Sequence, residues 1–210
     1  MKTVFVNPER CIACHQCEFA CAVEHSQSKD PIGALFEDPG PHPRVHVEVG
    51  PTPTTSFPNR CRHCQPAPCQ QVCPTGAIYR DQDADLVLLD AARCIACAMC
   101  AIVCPFDALT FHPAPANGGG VPRALVAFKC DGCIERVREG RVPACVEVCK
   151  TDALVYGELN DLVREGRVHA SSRALAAVAS VRPDGNGEVE GVTAWRKFGI
   201  ELKSLEGRES

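Results

Sequence analysis

Sixteen cysteines occupy this 210-residue chain, and they fall without remainder into four groups of four. Cys11, Cys14, Cys17 and Cys21 form the first group, and Cys61, Cys64, Cys69 and Cys73 the second. Cys94, Cys97, Cys100 and Cys104 form the third, and Cys130, Cys133, Cys145 and Cys149 the fourth. Any fold proposed for the chain must first explain that spacing. Only 5% of residues are aromatic, so the large side chains that fill much of an ordinary core are scarce. Seventeen prolines and sixteen glycines, spread through the cysteine-rich stretches, point to short elements and many turns. Bound metal would supply the missing core, its binding energy acting as folding energy.

Three chemistries use cysteine this densely. Disulfide scaffolds are secreted, but the opening MKTVFVNPERC shows no n-region, h-region and cleavage site, and no twin-arginine pair. Cysteines two residues apart in runs of three would also force awkward local pairings. Structural zinc suits Cys130, Cys133, Cys145 and Cys149 taken alone. It does not suit the first and third groups, where CxxCxxCxxxC wraps three sulfurs around one compact object and throws the fourth outward, as a cubane cluster requires. The third group, CIACAMCAIVCP, matches the bacterial ferredoxin run at every position, with Pro105 after Cys104. The second group keeps Pro74 after Cys73 but has a middle gap of four, and the fourth opens that gap to eleven and places Lys150 after Cys149. The first ends in Ala22. All four read as variants of one iron-sulfur motif.

Repetition extends beyond the cysteines. CPTGAIY at 73, CPFDALTF at 104 and CKTDALVY at 149 share a cysteine, a short turn, an alanine and a β-prone residue, so each predicts a helix end turning into a short strand. CAVEHSQS after the first group continues as polar helix or loop. RVHVEV, within 31 to 58, alternates as an edge strand should, and proline-rich flanks keep the rest of that segment irregular. LVLLD at 86 to 90 and ALVAF at 124 to 128 predict strands leading into the next group. LNDLVREGRVHASSRALAAVAS predicts two helical pieces split near Gly166, and VRPDGNGEVEGV a hairpin or loop around Asp184 to Gly187.

Several functions are excluded or set aside. A formal charge of −4 provides no basic footprint for nucleic acid. NGGGVP at 117 to 122 lacks the GK[ST] ending of a phosphate loop, and Glu190 stands where a dinucleotide fingerprint needs glycine. No stretch approaches the roughly 20 apolar residues of a membrane span, so the expected location is the cytoplasm, where thiols stay reduced. His15 and His63 lie inside complete cysteine sets and are expected to support cluster sulfur rather than ligate iron. Lys150, beside a fourth ligand, would raise a local potential unless solvent screens it.

Taken in order, the four groups resemble the four-cluster, polyferredoxin-like electron-transfer subunits of modular oxidoreductases, a likeness covering residues 3 to 156. The family includes iron-sulfur subunits of dimethyl sulfoxide reductase and formate dehydrogenase. CIACHQCEFACAVEHS followed by NRCRHCQPAPCQQVCPTGAIY is most similar to the ferredoxin-like subunits that serve carbon monoxide dehydrogenase, hydrogenases and tungsten aldehyde oxidoreductases. The resemblance implies an α+β fold of two bacterial ferredoxin-like modules, each holding two 4Fe-4S clusters on short helices and β-hairpins. Module A would comprise 1–30 and 123–157 and module B 55–112, with connecting loops at 31–54 and 113–122 and a C-terminal extension at 158–210.

It further implies four 4Fe-4S clusters with crossed fourth ligands. Cys11, Cys14 and Cys17 would join Cys149, and Cys130, Cys133 and Cys145 would join Cys21. Cys61, Cys64 and Cys69 would join Cys104, and Cys94, Cys97 and Cys100 would join Cys73. Clusters ligated by four thiolates have no open iron position for substrate, so the expected role is a relay of single electrons and catalysis belongs to a partner. The implied partners are a catalytic subunit acting on aldehyde, carbon monoxide, formate or hydrogen, and a flavin-containing, NAD-linked subunit. An exposed cluster at each end would also permit self-stacking. The competing function is an iron-sulfur or zinc scaffold or a cluster-assembly protein, distinguished by whether its clusters survive purification and titrate reversibly.

Overall fold

A computed structural model describes residues 2–50, 52, 55–113 and 125–180. The chain divides into two units, Met1–Leu159 and Asn160–Ser210. Among the described residues of the first, eight short strands pair into four two-stranded antiparallel ribbons. β1 (Lys2–Val6) pairs with β8 (Leu154–Glu158), and β2 (Val45–Val49) with β3 (Ser56–Arg60). β4 (Ile78–Asp81) pairs with β5 (Leu86–Leu89), and β6 (Leu109–Pro113) with β7 (Leu125–Lys129).

These ribbons frame a repeated unit. One strand of each ribbon runs into a cysteine group: β1 into Cys11, β3 into Cys61, β5 into Cys94 and β7 into Cys130. The third and fourth cysteines of each group then stand four residues apart on or just after a helix. Those helices are α1 (Gln16–Glu24), α3 (Pro68–Gln71), α4 (Met99–Ile102) and α6 (Ala144–Glu147). After the last three groups the chain turns through a left-handed residue, Gly76, Asp107 or Asp152, and enters β4, β6 or β8 as the sequence predicts. The alanine that follows each turn is buried: Ala77 is 1% exposed, Ala108 6% and Ala153 2%. Asn7 and Asp90 close equivalent corners, their N–H groups donating to Ala153 O at 2.7 Å and Ala77 O at 2.8 Å.

Two strands were not expected. β1 reads only as a brief apolar stretch, and β3 lies in the flank predicted to be irregular. Pro58 sits within β3 opposite Val47, which an edge strand tolerates because it need not donate on its open side. The first group has no strand after it because α1 carries both Cys17 and Cys21 and continues to Glu24. Two further short α-helices are α2 (Pro31–Ala34), capped by Asp30, which accepts from Ile32 N and Gly33 N, and α5 (Ile134–Arg138).

Among the described residues, two buried clusters make up the core. Val4, Cys17, Cys21, Val45, Val47, Cys145 and Leu154 form one, with Cys11 and Cys149 packed against it. Ala67, Ile78, Val87, Cys100 and Ala127 form the other, with Cys69, Cys73 and Cys94 against it. Cysteines of the first and fourth groups therefore share one core, and those of the second and third share the other.

The second unit is seen through α7 (Leu159–Ser180), one uninterrupted helix rather than the two pieces expected. Gly166 costs only about 1 kcal/mol in a helix interior, which its neighbours Leu, Arg, Glu and Ala offset, and Asp161 pairs with Arg164 at 2.8 Å. The segments read as NGGGVP and as a hairpin near Asp184, together with Glu190, lie outside the described residues.

Candidate metal centres

The cysteine loops are bent to surround something. In CIAC and the identically spaced third group, the residues on either side of the second cysteine take left-handed backbone: Ala13 and His15, then Ala96 and Ala98. His63 and Gly132 repeat the first of these positions in the other two groups. Non-glycine residues rarely adopt this conformation, and its recurrence at equivalent positions marks a loop curled to aim successive sulfurs inward. Backbone N–H groups then point at sulfur: Arg44 N to Cys21 at 3.2 Å, His63 N to Cys61, Gly132 N to Cys130 and Leu154 N to Cys149 at 3.4 Å, and Ala127 N to Cys94 at 3.5 Å. All sixteen thiols are free of disulfides.

Distant groups meet through their fourth cysteines. Burial, with the nearby charge of Cys130, Cys145 and Cys133, pushes the Cys21 thiol well up, against the N–H of Arg44. Cys21 packs in one buried cluster with Cys145 of the fourth group. Cys69 is raised by burial against the charge of Lys129, with Cys61 of its own group and Cys104 of the third adding to the rise. Cys73, Cys94, Cys97 and Cys100 line a single cavity together with Ala77, Phe111 and Ala127. Burial tends to raise the Cys73 thiol, yet N–H groups of Ile78, Ala77 and Thr75 and the Thr75 hydroxyl bring it below the ordinary range. Cys17 is pushed up to about 11, chiefly by burial, and has Cys11 and Cys14 for charged neighbours. Cys149 packs against the same buried cluster as Cys17.

This donor set fits iron. Burial pushes Cys133 up to about 12 and Cys100 to about 11, so thiols crowded together here ionise only when a cation compensates them. Orphaned donors give the same indication. His63, 4% exposed, accepts from Val87 N at Nδ1 (3.0 Å), which leaves the proton on Nε2, and Nε2 has no partner among the described residues. Burial, then the charges of Lys129 and Arg60, hold this imidazole neutral by lowering it to about 3. Arg60 Nε and Arg44 Nε are likewise buried and unpartnered. Sulfide and thiolate of a cluster are acceptors of the right chemistry for such donors.

His15 points elsewhere, its Nδ1 lying 3.0 Å from Glu18, whose other oxygen accepts the N–H of Val47. Lys150 is exposed, where solvent screens it. The sequence reading missed Asp131, between Cys130 and Gly132, whose carboxylate is held by Arg44 at 2.7 Å and His25 at 3.1 Å. Its partners lie 87 and 106 residues away, and no local pattern announces them.

Curled loops, N–H groups aimed at sulfur and crossed fourth cysteines define a ferredoxin-like iron-sulfur protein. The chain belongs to the 4Fe-4S dicluster domain family, whose model matches residues 53–159. It is 38% identical over 176 residues to an iron-sulfur protein of Rhodospirillum rubrum, covering 82% of this chain and 90% of the relative. It is also similar to the thiosulfate reductase electron transfer subunit PhsB of Salmonella typhi, at 36% over 164 residues and 74% of each chain. Electron transport protein HydN of Escherichia coli K12 is 36% identical over 165 residues, covering 76% of this chain and 89% of the relative. Among the described residues, no helix is long and apolar enough to cross a membrane.

Proposed function

We propose that this chain is a non-catalytic subunit that relays single electrons through four 4Fe-4S clusters, between a catalytic oxidoreductase subunit and a second redox partner in the cytoplasm. Cys11, Cys14, Cys17 and Cys149 would hold the first cluster, and Cys130, Cys133, Cys145 and Cys21 its neighbour. Cys61, Cys64, Cys69 and Cys104 would hold the third, and Cys94, Cys97, Cys100 and Cys73 the last. Residues 1–30 with 123–157 and residues 55–112 are then two ferredoxin-like modules, and 158–210 an extension. When bound, each cluster supplies a one-electron couple with no iron position open to substrate.

The observation that supports this reading is the crossing: Cys21 shares a buried cluster with Cys145, and Cys73 lines one cavity with Cys94, Cys97 and Cys100. Two relatives bear names that state electron transfer or transport. The chain's own residues insulate and orient the path. Their N–H groups fix the thiolates, and Arg60, whose guanidinium reaches Cys130 Sγ at 3.8 Å, stands beside Cys61 and so marks the meeting of the two inner sites. The outer sites come to the surface at the exposed Cys14 and Cys97. Ile12 and Phe19 are exposed near the first, and Ile95 and Ile102 near the second, apolar surface of the kind a partner covers. A tungsten aldehyde oxidoreductase, carbon monoxide dehydrogenase, formate dehydrogenase or hydrogenase would dock at one end, and a flavin-containing, NAD-linked subunit or a second copy at the other.

Iron and acid-labile sulfide on anaerobically purified protein, with EPR during reductive titration, test the reading. About sixteen of each per chain with interacting S = 1/2 signals is the expected result. Zinc without sulfide would overturn it.

A further inference from the structure

All four cysteine groups are preceded by a basic residue: Arg10, Arg60, Arg93 and Lys129. The position is the same but the surroundings are not. Arg10 and Arg93 are exposed; Arg10 lies 3.9 Å from Asp152 and Arg93 donates to Thr75 O at 3.1 Å. Arg60 and Lys129 are each 4% exposed. Arg60 donates to Val4 O at 3.0 Å and reaches Cys130 Sγ, while Lys129 Nζ donates to Cys130 O at 2.8 Å and to Val87 O. Among the described residues, no carboxylate pairs with either. A buried cation without a counter-ion is strongly unfavourable, so these two charges call for an anion beside them.

The arrangement is reciprocal. Arg60 introduces the second group and stands beside Cys61, yet its guanidinium reaches Cys130 Sγ of the fourth at 3.8 Å; Lys129 introduces the fourth, yet its Nζ bonds Val87 O, whose residue donates to His63 of the second, and its charge is felt at Cys61 and Cys69. Both therefore stand between the two inner sites. We propose that Arg60 and Lys129 form a buried cationic junction that holds the two inner clusters at higher reduction potential than the two outer ones. The inference rests on the four-cluster reading. Reduction adds negative charge to a cluster, and a nearby fixed positive charge in low-dielectric surroundings favours that state, whereas the exposed Arg10 and Arg93 are screened by water and salt. Arg60 also offers a donor to sulfur, which acts in the same direction. An electron entering at either end would settle on the inner pair before leaving.

EPR-monitored redox titration of the cluster-loaded protein tests this, with iron and sulfide measured in every sample. In R60Q and K129Q, two of the four centres should lose at least tenfold in their reduced-to-oxidised ratio at fixed solution potential, equivalent to about 59 mV for a one-electron couple. R60K and K129R should recover most of that loss, and R10Q and R93Q should change the ratio less than about threefold. In the unaltered protein, added salt should move the potentials of two centres and leave the other two in place. Equal salt response of all four centres, or R10Q acting as strongly as R60Q, overturns the junction while leaving the relay intact. Should R60Q and K129Q lose their clusters, the salt titration of the unaltered protein decides alone. A chain carrying fewer than four clusters overturns the relay itself.

Discussion

His42 and His112 lie face to face, ring centroids 3.6 Å apart and planes 13° from parallel, with Phe128 edge-on to His112 at 5.5 Å. The stack fastens the loop before β2 to the β6–β7 ribbon. Burial, then the nearby His42 and His46, lower the pKa of His112, so in the folded chain it takes a proton only below its ordinary value of about 6.5. The undocked loop binds that proton first, and the contact is at full strength above about pH 6.5 and weakens as pH falls. Amide exchange across residues 40–46 and 109–113 should accelerate on going from about pH 7.5 to about pH 5.5, beyond the intrinsic change. In H112F the acceleration should disappear; if it persists, His112 is not its source.

If the proposed crossed ligand sets hold, replacing Cys21 with alanine should remove about four irons while leaving Cys130, Cys133 and Cys145 in place. Cys104→Ala should do the same for the set begun by Cys61. Iron analysis with EPR of the remaining centres distinguishes this from loss of a cluster at the mutated group's own first three cysteines.

Arg136 is buried and joins α5 to α1 through Glu24 at 2.7 Å, and to α6 through Glu147 at 2.5 Å. Glu24 is itself mostly buried, so R136M leaves a carboxylate with little water around it and should cost about 3 kcal/mol. E147Q, at a half-exposed carboxylate, should cost under about 1 kcal/mol. Anaerobic denaturant titrations that gave equal losses for both would contradict the distinction.

The alanines after the cysteine turns leave no space for larger side chains. Ala77→Leu, at the wall of the cavity lined by Cys73, Cys94, Cys97 and Cys100, should destabilise by about 1–3 kcal/mol and lower iron content. An equal substitution at the exposed Ala92 should do neither.

Removal of iron by chelation should unfold the first unit well beyond its loops. Without cluster sulfur, Arg60 and Lys129 become buried charges with no anion, and His63 Nε2 keeps no acceptor. Near-ultraviolet circular dichroism should flatten on chelation and return on anaerobic reconstitution. A metal-free chain that retains its native signal would show the core to be self-sufficient.

What the sequence disclosed was local chemistry. Cysteine spacing constrains which sulfurs can approach one object, so the four groups and the strands after Cys73, Cys104 and Cys149 were readable. β3 was not, because its inward positions are Ser56, Pro58 and Arg60, a pattern that looks polar and broken until the facing cysteines are known. The Arg44–Asp131–His25 contact and the burial of Arg60 and Lys129 depend on partners supplied by other groups. Gly166 misleads in the opposite direction, since one helix-weakening residue predicts a break where helix-forming neighbours carry the helix through it.

The antiparallel pairing of β1 with β8, from Lys2 opposite Glu158 to Val6 opposite Leu154, also sets an order of manufacture. A ribosome makes Cys21 before the residues that bury it, and Cys145 and Leu154 of the same cluster follow only after more than a hundred further residues. The first group's buried surroundings are thus completed only by chain made after the other three groups have begun.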